Sequence, residues 1–270
     1  MRIRRGAGCR ARGLLSATIL IIIVILLPAG SSSQAAEAPS QIKKPLIYQV
    51  GNVVRINAAG PRPLLQALEA LQGKYGWIVD YEDPQYPAED LAPNRQSLPT
   101  RRHTNVRSFW EGGFTVEFDS APDGRPEEDS VLAMVIDAYN QSNAAGQFEV
   151  RKEQDGRFAV VGVGVRNPSG EIASQRPILD LQITLAAKRR NADATISLIC
   201  RKLSEQSKIQ VTPGGISDSV HGRGAAVVGG IGVPARTLLS RTLMGEHLGW
   251  RLLYDSSARS YELAVVGLSQ

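Results

Sequence analysis

Four times this chain runs an amphipathic, helix-like stretch into a β-rich one, at residues 63–82, 130–152, 194–212 and 234–255. That recurrence limits the fold more than any single motif, because each unit must bury one apolar stripe and one alternating face against something. In the first unit Leu64, Leu65, Leu68 and Leu71 mark a helical face, Gly73 and Gly76 stop it, and "WIVDY" reads as a strand. The pattern recurs at a distance. A shift of 132 residues lays Leu64 on Ile196, Leu71 on Leu203, Trp77 on Ile209 and Val79 on Val211. Further on, Val135-Ile136 falls on Leu238-Leu239 at a shift of 103, and Val160-Val161-Gly162 on Val265-Val266-Gly267 at 105. The expectation is an α+β fold made of two related copies of a small β-α-β-β-α-β-β module, helices packed on short sheets.

The organisation follows. Residues 1–35 read as a signal peptide, 36–45 as a tether, 46–165 as the first module, 166–177 as a linker and 178–268 as the second module. "LIYQVGNVVRIN" is a hairpin turning at Gly51-Asn52, "FTVEF" an alternating strand, and Asp155-Gly156 the turn of a second hairpin. Residues 84–113, rich in Pro, Asn, Ser and Arg, are too long for an ordinary connection and read as an insertion.

Charge narrows the partners. The net charge is +5 over 31 basic and 26 acidic residues. Five arginines fall in "MRIRRGAGCRARG", ahead of the uncharged run Leu14–Leu27 and the small, polar stretch "AGSSSQAAEAPS". A basic start, a greasy middle and a small-residue cleavage zone describe a secretory leader, with cleavage between Ala35 and Ala36. This uncharged run of 14 residues would rise about 21 Å as a helix, short of a ~30 Å hydrocarbon core. Loss of residues 1–35 leaves 26 basic against 26 acidic residues, which removes the case for nucleic acid. The expected location is periplasmic or extracellular, the alternative being a chain anchored by an uncleaved leader; the membrane enters only through that segment.

Little chemistry stands out. Gly230, Gly232 and Ala235 fit G-x-G-x-x-A, and Asp255 follows Ala235 by twenty residues, as in a dinucleotide-binding fingerprint. The other three helix–strand units lack such glycines, Pro234 suits a helix start, and too little chain follows for a Rossmann sheet. Glycines that let the chain leave a strand and turn sharply are the simpler reading, so no cofactor is expected. His103, His221 and His247 are scattered and lack ligand spacing, so no metal is expected. Cys200 lies beside the apolar positions of a helix and reads as a small buried thiol. Asp80, Glu82 and Asp83 resemble paired glycosidase carboxylates on paper, but a solvated strand-to-loop turn explains them more simply. No catalytic residue is assigned. Phe109 and Trp110, in the long irregular segment, are the candidate partner contacts; they either anchor a partner or fold back onto a sheet.

From Val233 to Leu268, a helix bearing Leu238, Leu239 and Leu243, a break at Gly245 to Gly249, an aromatic-bearing strand and a closing strand resemble the second half of the short secretin and TonB N-terminal (STN) domain. "ATISLICRKLSEQSKIQVTP" is similar to its first helix and strand. The likeness covers 178–268 and more faintly 46–165, whose insertion departs from the pattern. It implies a small α+β docking domain of the cell envelope without catalytic residues. The expected role is therefore a non-enzymatic exported protein acting through contacts with an envelope protein. The alternatives are a module for a glycan, peptidoglycan or small ligand, and an enzyme of unrecognised type.

Overall fold

Strand β1 (Ile47–Val50) turns tightly at Gly51, whose φ of 60° suits the two-residue turn, into β2 (Val53–Ala59). A computed structural model describes residues 46–87, 113–120, 125–142, 144–153, 156–167, 169–216, 225–244 and 248–267. Helix α1 (Pro63–Tyr75) starts on a proline that needs no N–H there. It runs through Gly73 and ends at Gly76, whose left-handed φ of 72° lets its N–H reach the Gln72 carbonyl. Then come β3 (Val79–Glu82), β4 (Gly113–Asp119), α2 (Glu128–Gln141), β5 (Gly146–Lys152) and β6 (Phe158–Arg166). The second half holds β7 (Ile172–Ser174), a 3-10 turn (Ile178–Asp180) and β8 (Gln182–Arg190). It continues with α3 (Ala192–Ser207), β9 (Gln210–Ile216), β10 (Ala226–Pro234), α4 (Ala235–Leu243), β11 (Leu248–Asp255) and β12 (Ser260–Gly267). Asn191 caps α3 by accepting from the Ala194 N–H at 2.8 Å. No described helix is long and apolar enough to cross a membrane.

The fold is α+β: among the described residues, four helices lie on several sheets. The pairings run alike in the two halves. In the first, β2 pairs antiparallel with β4, β3 parallel with β6, and β6 antiparallel with β5. In the second, β8 pairs antiparallel with β10, β9 parallel with β12, and β12 antiparallel with β11. Register refines the correspondence. Val79 stands opposite Phe158 and Val211 opposite Tyr261, so the closing strands correspond at a shift of 103, from 158 to 261, not 105. The two-residue difference keeps side chains on the same face, which is why apolar letters alone missed it.

The halves are not separate beads. Lys44 to Gln270 forms one compact unit. Its central sheet runs β5-β6-β3-β11-β12-β9, with β7 added to β6, because β3 pairs parallel with β11 of the second half. Both faces are covered, so β6 reads as a nearly unbroken apolar run. Phe158 and Val160 join the core under α1 and α2, while Ala159 and Val161 join that under α3 and α4. The segment read as a linker contributes β7, and Gln175 exchanges hydrogen bonds with Gln85.

Candidate functional site

The densest polar chemistry among the described residues lies where β3 meets β11. Only two residue pairs form that ladder, Tyr81 with Arg251 and Glu82 with Leu252. Side chains extend it at both ends. The Trp250 N–H donates to Asp80 Oδ1 at 2.8 Å, and the Tyr254 N–H to Asp83 Oδ2 at 3.0 Å. The Asp83 N–H donates to the Leu252 carbonyl, and Arg62, just before α1, reaches both the Tyr254 carbonyl and Asp83 Oδ2 at 2.9 Å. The Tyr81 hydroxyl closes the set on Asp83 Oδ1 at 2.7 Å.

Strand alternation sends Glu82 to the face covered by the second half. There Arg236, on the first turn of α4, donates to Glu82 Oε2 at 2.6 Å, and the Leu179 N–H donates to Oε1 at 3.1 Å. Arg236 also bonds Asp180 Oδ1 at 3.1 Å and lies 5.4 Å from the Trp250 ring centre, a cation–π distance. Arg151 on β5 holds the other Asp180 oxygen at 2.7 Å.

Asp80 and Glu82 are fully buried and Asp83 is 1% exposed, so the expected solvated turn is not what forms. A charge taken from water is tolerated when paired and hydrogen-bonded, and the oxygens of Glu82 and Asp83 are engaged by guanidinium, N–H or phenol donors. Burial pushes both carboxyls up from the usual range, with Arg236 and Arg62 working against it. At Asp180 burial acts in the same sense but is outweighed by the bonds from Arg151 and Arg236, so that carboxyl lies below the ordinary range. The cluster is built to hold two halves together.

The glycine fingerprint does not assemble. Gly230 and Gly232 lie inside β10, a bulged strand in a two-stranded sheet, while Asp255 ends β11 in the central sheet. In a nucleotide site the two strands would share one parallel sheet. The glycines therefore do not mark the exit from a strand, as the sequence suggested. They sit in the ladder, and a side chain on Gly229 would meet the Ala187 backbone at 2.5 Å. Asp255 accepts from Ser257 and Ala258 in the turn to β12. Pro234 ends β10 as the residue capping α4.

Cys200 is buried, as expected, and burial pushes its thiol up to about 12. Among the described residues no group of three His, Cys, Asp or Glu could hold a metal ion. Phe109, Trp110, the three histidines, Asp155 and the cleavage residues Ala35 and Ala36 lie outside the described residues.

The sequence reading missed Arg62, Asp180 and Arg236. One legible sign existed: Arg236 stands at i, i+3, i+7 spacing with Leu239 and Leu243, a charge on the apolar face of its helix. No protein-family model, curated protein or solved structure matches this chain.

Proposed function

We propose that this chain is an exported, non-enzymatic cell-envelope protein, made of two copies of one STN-like module locked side by side, and that it acts through contacts with a partner protein. The observation that carries the reading is the shared connectivity of the halves: each has an antiparallel pair from its first and third strands and a mixed sheet from its second, fifth and fourth, counting from β2 and β8. Correspondence between buried positions supports it. Leu64, Leu71, Val135 and Ile136 match Ile196, Leu203, Leu238 and Leu239, all buried.

The seam explains where the copies differ. At the same shifts, Asp80, Glu82 and Asp83 align with Thr212, Gly214 and Gly215 on β9, while Arg62 and Arg236 align with Ala194 and Ala133. The charged residues occur only where β3 has a neighbouring module, so the acids best placed for catalysis by type are spent on assembly. A pair of small modules that present sheet edges is suited to docking.

The test is capture of partners from envelope extracts by the full chain, after fractionation has located it. Recovery of one partner in stoichiometric amounts is expected. Repeated recovery of none, or a cytoplasmic chain with its leader intact, contradicts the reading.

A further inference from the structure

We propose that the free edge of β8 receives an added antiparallel strand from a partner protein, and that the incoming strand is acidic. This rests on the partner-docking reading and names the surface it uses.

The sheet edges differ in how they are closed. On β5 the outward groups of Phe148 are taken by α2: its N–H donates to Asn140 Oδ1 at 3.0 Å, and its carbonyl accepts from Asn140 Nδ2 at 2.9 Å. Strand β9 carries Pro213, which has no N–H to offer. Strand β3 is joined to β11. On the other sheet of the first half, β2 is flanked by β4 on one side and by β1 on the other, in antiparallel register from Ile47 opposite Ile56 to Val50 opposite Val53. Strand β8 holds the place of β2 in the second half, yet among the described residues it pairs with β10 alone. The side that β1 fills in the first half holds no described strand in the second.

The chemistry of that edge selects its occupant. Ile183 and Leu185 tie β8 to the core, but Ala186 to Arg189 are exposed, as are Ala226 and Val227 opposite. This projecting ribbon carries Lys188, Arg189 and Arg190, and neither of its strands has an acidic residue. Arg190 folds onto the ribbon, its Nη1 3.1 Å from the Ala186 carbonyl and 3.3 Å from that of Val228. Lys188 and Arg189 make no ion pair among the described residues and remain exposed. A strand added here gains backbone hydrogen bonds from the edge and charge pairing from acidic side chains on the face that carries Lys188 or on the opposite face that carries Arg189.

The probe is a fluorescein-labelled peptide of alternating threonine and glutamate, about nine residues long to match β8, added to the full chain. Anisotropy reads binding and amide hydrogen exchange locates it. Binding that weakens with salt and slows exchange within 182–190, but not within 146–152, is expected. The K188E/R189E variant should bind the peptide at least about tenfold more weakly, and should gain affinity for a second peptide of the same length in which lysine replaces glutamate; that gain shows the variant is folded. No binding, protection outside β8, or affinities unmoved by the charge swap overturns the proposal. So does adsorption of the ribbon to phosphatidylglycerol vesicles without peptide binding, since Val227 and Ile231 would then be lipid contacts. A native partner captured equally by wild type and K188E/R189E sinks the β8 assignment and leaves the docking reading standing.

Discussion

Asp80 and Trp250 stand 170 positions apart and share a hydrogen bond, the backbone N–H of Trp250 donating to the carboxylate at 2.8 Å. Trp250 lies opposite Val265 as Phe148 lies opposite Gly162, so the two hold the same place in their hairpins. The edge N–H that Asn140 satisfies within the first half is satisfied in the second by a residue from the other half. One strand position, closed in two ways, separates an edge from a seam.

Truncating the acid should therefore leave a buried donor without an acceptor. D80A is expected to lose about 1–3 kcal/mol, while D80N, which keeps an oxygen at that place, loses much less. Urea unfolding followed by circular dichroism checks both. Equal losses would mean that the charge, not the acceptor, matters.

Asn140 is expected to guard β5. N140A frees the N–H and carbonyl of Phe148 on an edge strand, so association should rise with concentration in light scattering, alongside a loss of about 1 kcal/mol. A variant that stays monomeric at high concentration contradicts the guarding role.

Arg236 and Glu82 form the most deeply buried pair of the seam, at 4% and 0% exposure. Removing one charge strands the other, so R236M should cost about 3–5 kcal/mol, and the double variant R236M/E82Q should recover a substantial part. The coupling comes from a double-mutant cycle in urea. Additive losses would show that the two do not act as a pair.

The seam also fixes two opposite responses to pH. Asp180 is held below its unfolded value, so its contribution is present above that value and lost as the pH falls through the folded one. Wild type should lose ground to D180N on acidification. Glu82 is raised, so its contribution is fullest at acid pH and shrinks as the pH rises through its folded value. Wild type should lose ground to E82Q as the pH climbs upward from the ordinary glutamate value of about 4.3. Melting temperatures of the three chains, taken from below the ordinary aspartate value to above the ordinary glutamate value, give the slopes, and slopes of like sign contradict the assignment.

Glycine substitutions separate a strand bulge from a phosphate loop. A Cβ on Gly229 would strike the Ala187 backbone at 2.5 Å, while one on Gly230 would meet a movable Val233 methyl at the same distance. G229A should destabilise by about 1–3 kcal/mol and G230A clearly less. A nucleotide loop would make Gly230 the sensitive position, as the first fixed glycine of the fingerprint.

Much of the fold could be read from the chain. The leucine faces of α1 and α4, the Gly51 turn and the alternation of β4 each rest on neighbours a few residues away, where period and turn chemistry are sharp. The seam was not legible. Asp80, Glu82 and Asp83 look like any acids at a strand end, and their partners Arg62, Arg236, Trp250 and Tyr254 lie 21 to 171 residues off. Nothing local says that β3 will meet β11. The bulged course of β10 was equally hidden, since Gly229 to Gly232 carries turn letters into a strand that a neighbouring backbone crowds.

Two like modules sharing one sheet would leave their signature in cross-strand nuclear Overhauser contacts. Parallel contacts of Val79 with Phe158 and of Val211 with Tyr261 are expected, with a third set joining Tyr81 to Arg251. A spectrum in which β9 and β12 run antiparallel, or in which the Tyr81–Arg251 contact is missing and the halves tumble independently, would contradict that arrangement.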